Sequence, residues 1–197
     1  MSDELGYDES TALIVVDMQN DFAHPDGNLY VAGGEQTIPF INEQVAHARD
    51  AGAVVVYTQD WHPASTPHFA KDGGAWPVHC VMDTWGAELH PDLDAGEPVV
   101  RKGSGGEDGY SGFMMRDPGT GEEQPTELDG ILVRHTVGRV VVVGLAQDVC
   151  VKATAVDAAT RGYEVDVPAA GTRPVNLQEG DDQRAWDTMR QAGCNVA

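Results

Sequence analysis

Positive charge is scarce in this chain. Its 197 residues carry 12 Lys and Arg against 32 Asp and Glu, a formal net charge of −20. That balance excludes electrostatic binding to nucleic acid or to an anionic membrane surface. It favours solubility and suits a salty or acid-biased cellular background. Cysteine is also scarce. Cys80, Cys150 and Cys194 are an odd number with no disulfide framework, as expected of a protein held in a reducing cytoplasm. No apolar run is long enough to span a bilayer, and the opening MSDELGYDES lacks the apolar core of a secretion signal. Nucleotide-binding signatures are missing: GSGGED at Gly103–Asp108 does not complete a GxGxxG fingerprint, and there is no Walker A motif. A GxSxG serine elbow is absent too.

Apolar runs of strand length alternate with helical patterns. Strands are expected at 11–16, 53–58, 98–101, 139–144 and 163–167, with a short last one near Asn195. Helices are expected at 37–50, from Thr126 to about His135, from Asp148 to Gly162, and at 183–191. Thr126 followed by Asp129 resembles a reciprocal N-cap. The alternation predicts an α/β fold: a single domain over 11–197 after a tail at 1–10, with a mainly parallel six-stranded sheet between two helix layers. The loop from Gln59 to about Thr84 is long for a compact domain, which points to function. Asp117–Gln124 reads as a polar surface loop without a role.

The segment VVVVGLAQDVC, Val140–Cys150, is the most informative. Four consecutive valines predict a central strand covered on both faces. Cys150 then falls in the first turn of a helix, where free N–H groups and the helix dipole are expected to lower the thiol pKa. The alternative is a small buried hydrophobe. Asp17 and Lys102 also directly follow predicted strands. In an open parallel sheet such positions converge on one crevice. There Asp17 would exchange a proton with the thiol, Lys102 would hold negative charge, and Cys150 would attack a carbonyl carbon. Taken singly, Asp17 also fits a turn residue and Lys102 a solvated lysine.

Asp60, His62, His68 and His79 crowd into the long loop and offer oxygen and nitrogen ligands suited to Zn, Mn or Fe. A set of loop hydrogen bonds is the other reading. His24, His47, His90 and His135 read as surface or structural. Phe22, Trp61, Trp76 and Tyr110 lie near these residues in sequence, and a flat ring would fit between Phe22 and Trp76.

Six motifs occur in a fixed order: DMQNDF at Asp17–Phe22, DWHP at Asp60–Pro63, WPVHC at Trp76–Cys80, RKG at Arg101–Gly103, DGYSGF at Asp108–Phe113 and GLAQDVCV at Gly144–Val151. Together they resemble the nicotinamidase/pyrazinamidase branch of the isochorismatase-like cysteine hydrolases. The resemblance implies a catalytic triad of Asp17, Lys102 and Cys150. It implies one divalent metal ion (Zn, Fe or Mn) on Asp60, His62 and His79, with His68 as an additional candidate ligand. Phe22, Trp76, Tyr110 and Leu145 would contact substrate. A cis peptide at Leu145–Ala146 would turn the Ala146 N–H, with that of Cys150, toward an oxyanion. The implied reaction is hydrolysis of nicotinamide to nicotinate and ammonia through a thioester, with pyrazinamide as a further substrate, in cytoplasmic NAD salvage. The partner is thus a small molecule, with a homo-oligomer compatible. A metal-free amidohydrolase of the same fold acting on a carbamoyl or ureido group, and a non-catalytic metal-binding protein, are the alternatives.

Overall fold

A computed structural model describes residues 5–197. Strand β1 (Thr11–Val16) is buried along its whole length, and β6 (Arg139–Leu145) along all but its first residue. They lie side by side at the centre of the sheet, which explains why both read as continuous apolar runs. Outward from β1 come β2 (Val54–Asp60) and β3 (Val99–Lys102). Outward from β6 come β7 (Glu164–Val167) and β9 (Asn195–Val196). Every neighbouring pair in this sheet is parallel.

Because strand side chains alternate in direction, each strand feeds two separate cores. Leu13 and Val15 of β1 pack with Ile38, Ile41, Val45 and Ala48 of helix α2 (Ile38–Asp50). Ala12, Ile14 and Val16 face the other way. They meet Leu128 and Ile131 of α3 (Leu128–Arg134), Ala155 and Ala158 of α4 (Lys152–Thr160), and Met189 of α5 (Asp181–Gln191). The result is the expected three-layer α/β/α arrangement.

The main sheet has seven strands, not the six expected. Strand β8 (Thr172–Arg173) pairs with Gly144 and Leu145, beyond the point where β7 stops pairing with β6. Two polar residues carry no hydrophobic signature, so nothing in the sequence announced it. The supposed surface loop is the turn of an antiparallel hairpin, β4 (Met114–Arg116) with β5 (Glu123–Pro125). Its tip is shaped by Asp117, whose Oδ1 accepts from the N–H groups of Gly119 and Thr120. A four-residue helix, α1 (Asn20–Ala23), was also unannounced. The expected cap on α3 is only half made. Thr126 Oγ1 accepts from Leu128 N–H, but Asp129 takes the Tyr163 hydroxyl instead.

Of the expected N-terminal tail, residues 1–4 lie outside the described residues, whereas Leu5 and Tyr7 pack against the core. Among the described residues, no helix is long and apolar enough to cross a membrane.

Candidate active site

Parallel strands bring their carboxyl ends to one edge of the sheet, and four of them deliver the site. Asp17 leaves β1 with φ 48°, a left-handed turn that Asp tolerates better than most residues. Its Oδ1 accepts from Thr58 Oγ1 at 2.5 Å and its Oδ2 from Lys102 Nζ at 2.7 Å. Lys102, the last residue of β3, is wholly buried and also donates to the Gly109 carbonyl. Asp60, the last residue of β2, has Oδ1 3.1 Å from the same Lys102 Nζ. Cys150 sits in a π-helical turn, Gln147–Val151, between β6 and α4. Just before it, Gly144 lets β6 run close against β1, because with φ 111° any Cβ there would stand 2.1 Å from the Val16 carbonyl oxygen. The carboxylates of Asp17 and Asp60 and the Cys150 sulfur lie within 4.8 Å of one another. The three strand-end residues singled out in the sequence are therefore neighbours.

The electrostatics follow from burial. Burial works against the charge on Lys102, but Asp17 and Asp60 outweigh it and hold its pKa above the ordinary lysine value. Burial pushes the Asp17 carboxyl up, against the opposing pull of Lys102. For Asp60 burial is overcome by Lys102, His62 and His79, which keep its carboxyl well below the usual range. The expectation for Cys150 is reversed. Burial raises its thiol pKa, Lys102 opposes this, and Asp17 and Asp60 add to the rise. A helix start favours thiolate only while solvent and positive charge dominate, and here two carboxylates face the sulfur.

His62, His68 and His79 place one ring nitrogen each within 4.8 Å of one another. Asp60 Oδ2 lies 3.8 Å from both His62 Nε2 and His79 Nε2. That is too far for a hydrogen bond, yet it suits ligands of one ion, which stand ~3–4 Å apart when each is about 2.1 Å from it. His62 is fully buried, and neither ring nitrogen has a hydrogen-bond partner among the described residues. A buried polar group left so costs about 1–3 kcal/mol, and a bound divalent ion at Nε2 removes part of that cost. The residues present fit a divalent metal.

Phe22, Trp76, Tyr110 and Leu145, together with Ala146 and Cys150, line one pocket beside Asp60, His68 and His79. The Leu145–Ala146 peptide bond is cis, as expected. Phe22 and Trp76 flank His79, with ring centroids 5.3 and 6.5 Å away, and Trp76 Nε1 donates to the Tyr110 hydroxyl at 2.9 Å. Trp61 is not part of the pocket. Its ring carries the Arg101 guanidinium at 3.8 Å.

Sequence reading missed Leu29, Val31 and Val175, which with Val149 form the apolar wall. It also missed Gln19. Its side chain accepts from Asp60 N–H at 2.8 Å and donates to the Asp60 carbonyl at 2.7 Å, clamping that residue from both sides. Gln19 lies inside DMQNDF, but its partner is 41 residues away. Asp21 was likewise overlooked. Its Oδ2 accepts from Cys80 N–H at 2.7 Å, tying α1 to the residue after His79.

The chain is 37% identical over 203 residues to a nicotinamidase of Escherichia coli (strain K12), covering 94% of this chain and 93% of that protein. Among solved structures it resembles the pyrazinamidase of Pyrococcus horikoshii in complex with zinc, at TM-score 0.84 and 38% identity, over 95% of this chain and 98% of that one. It also resembles PnC1 of L. infantum in complex with nicotinate, at TM-score 0.86 and 34% identity, covering 98% of this chain and 95% of that one. The model of the isochorismatase domain matches residues 11–197, and the chain belongs to that family.

Proposed function

We propose that this protein is a metal-dependent cysteine amidohydrolase that converts nicotinamide to nicotinate and ammonia, with pyrazinamide as a second substrate. The observation that carries the reading is the meeting of Asp17, Lys102 and Cys150 beside a three-histidine, one-aspartate donor set. The relatives named above, with their bound zinc and nicotinate, support the choice of metal and substrate class. The metal-free rival leaves unexplained a buried imidazole with two unpartnered nitrogens.

The aromatic ring of the substrate enters between Phe22 and Trp76, against the apolar wall. Asp60, His62 and His79, joined by His68, would hold the ion, which when bound supplies positive charge beside the pyridine nitrogen. The Cys150 thiol, kept protonated by burial, passes its proton to Asp17 as the sulfur bonds to the carboxamide carbon. The raised Asp17 pKa makes it an effective base for this transfer. The N–H groups of Ala146 and Cys150 receive the developing oxyanion. Asp17 returns the proton to the amide nitrogen, the C–N bond breaks, and ammonia leaves. A water molecule, deprotonated by Asp17, then attacks the thioester, releasing nicotinate and restoring the thiol. Lys102 holds the Asp17 carboxylate in line through the whole cycle. Three free, buried cysteines suit a cytoplasmic setting.

The test is ammonia release from nicotinamide after reconstitution with zinc, iron or manganese. Wild type is expected to turn over, and Cys150→Ala to lose at least about 10²-fold in kcat. An inactive wild type in all three metals would overturn the substrate assignment.

A further inference from the structure

The sequence left His68 open between ligand and hydrogen-bonding residue, and gave Asp108 and the 114–125 hairpin no task. We propose that Asp108 is a positioning residue for the metal centre: it fixes the His68 ring so that its other nitrogen serves as a protein ligand beside His62 and His79. The inference rests on the metal reading above.

Asp108 Oδ1 lies 2.6 Å from His68 Nδ1. A carboxylate only accepts, so Nδ1 carries the proton and Nε2 keeps its lone pair. His68 is buried and its ring stacks on that of His62, with centroids 4.6 Å apart and planes 18° apart. One ring nitrogen of His68 belongs to the three-histidine cluster, and with Nδ1 turned to Asp108 the ligand place goes to Nε2. His79 is handled in the same way, its Nδ1 held 2.7 Å from the Pro77 carbonyl. Partners that orient a ligating imidazole from behind typically change metal affinity 10–100-fold when removed.

The mount of Asp108 is rigid. Its N–H donates to the Arg116 carbonyl at 2.8 Å, and its carbonyl accepts from Arg116 N–H at 3.0 Å. Arg116 ends β4, so the hairpin without an assigned role braces the carboxylate from outside. A second tie runs parallel. Thr66 Oγ1 donates to the Gly106 carbonyl at 2.7 Å and accepts from His68 N–H at 3.2 Å. The segment carrying Asp108 and the segment carrying His68 are therefore joined at two points.

Zinc affinity of the full-length apoprotein, measured by competition with a chromophoric chelator, tests this. Asp108→Ala is expected to bind Zn²⁺ ~10–100-fold more weakly than wild type. His68→Ala should be weakened at least as much. Asp108→Asn retains an acceptor oxygen and should fall between wild type and Asp108→Ala. In the Co²⁺-loaded protein, the visible ligand-field bands of Asp108→Ala should move toward those of His68→Ala, a change that a purely structural aspartate would not produce. Wild-type affinity and unchanged bands in Asp108→Ala, or weak binding there without weakening in His68→Ala, would overturn the inference. His62→Ala separates the two levels: if it too binds Zn²⁺ like wild type, the metal reading itself fails. Should Asp108→Ala not fold, Asp108→Asn and His68→Ala carry the same test.

Discussion

The middles and the ends of the central strands differ sharply in what they bury. Ala12–Val16 and Val140–Val143 present only hydrocarbon to two well-packed cores. At their carboxyl ends, β1 and, outward from it, β2 and β3 bury Asp17, Asp60 and Lys102, all less than a tenth exposed. The first arrangement stabilises the fold by about 25 cal/mol for each Å² of apolar surface removed from water. The second gains little, because desolvation of each ion offsets much of the attraction between them. The strand middles hold the molecule together, and the strand ends use that rigidity to keep costly groups in place.

Separating the two regions by mutation sharpens this contrast. The largest effect is expected for Lys102→Met, which leaves two buried carboxylates without their shared cation. Activity should fall at least ~10²-fold, and stability of the metal-free protein by about 3–5 kcal/mol in urea titrations. Adding Asp17→Asn to that variant should recover part of the stability and none of the activity. If activity survives Lys102→Met, the strand ends have been misread. A middle-strand change should do the reverse. Leu13→Ala, at a fully buried site, should cost about 2–5 kcal/mol while the folded fraction keeps nearly wild-type kcat/KM. A large kcat loss there would blur the distinction between scaffold and site.

The smallest effect concerns neither region but the surface around both. A net charge of −20 repels itself across a small molecule, and salt shortens the reach of that repulsion from about 10 Å at 0.1 M to about 3 Å at 1 M. Raising NaCl over that range should lift Tm by at least ~2 °C, equivalent to about 1 kcal/mol for a chain of this size. A Tm that stays level or falls would show that the acidic surface carries no such penalty.

The same contrast explains what the sequence made legible. The middles of β1 and β6 announced themselves because burial on both faces leaves no choice but apolar residues. Asp17 and Cys150 stood out because each comes after such a run, and Lys102 because it closes the short strand β3. The β8 pair Thr172–Arg173 and the β4–β5 hairpin were invisible, since short polar strands look like loops. Gln19, Thr58 and Asp108 escaped for a related reason: each works on a partner 40 or more residues away, and only the folded chain reveals the pairing. The Cys150 pKa was misjudged because the helix start is a local feature, whereas burial and two facing carboxylates belong to the tertiary structure.

The most direct test of the central claim is to trap the bond between enzyme and substrate. Zinc-loaded wild type would be mixed with nicotinamide, quenched in acid within the first turnovers, and digested for mass spectrometry. The peptide containing Cys150 is predicted to carry one nicotinoyl group, released by hydroxylamine as a thioester should be. An enzyme that releases ammonia with no such adduct on Cys150, under quench times short enough to catch the first turnover, would contradict it.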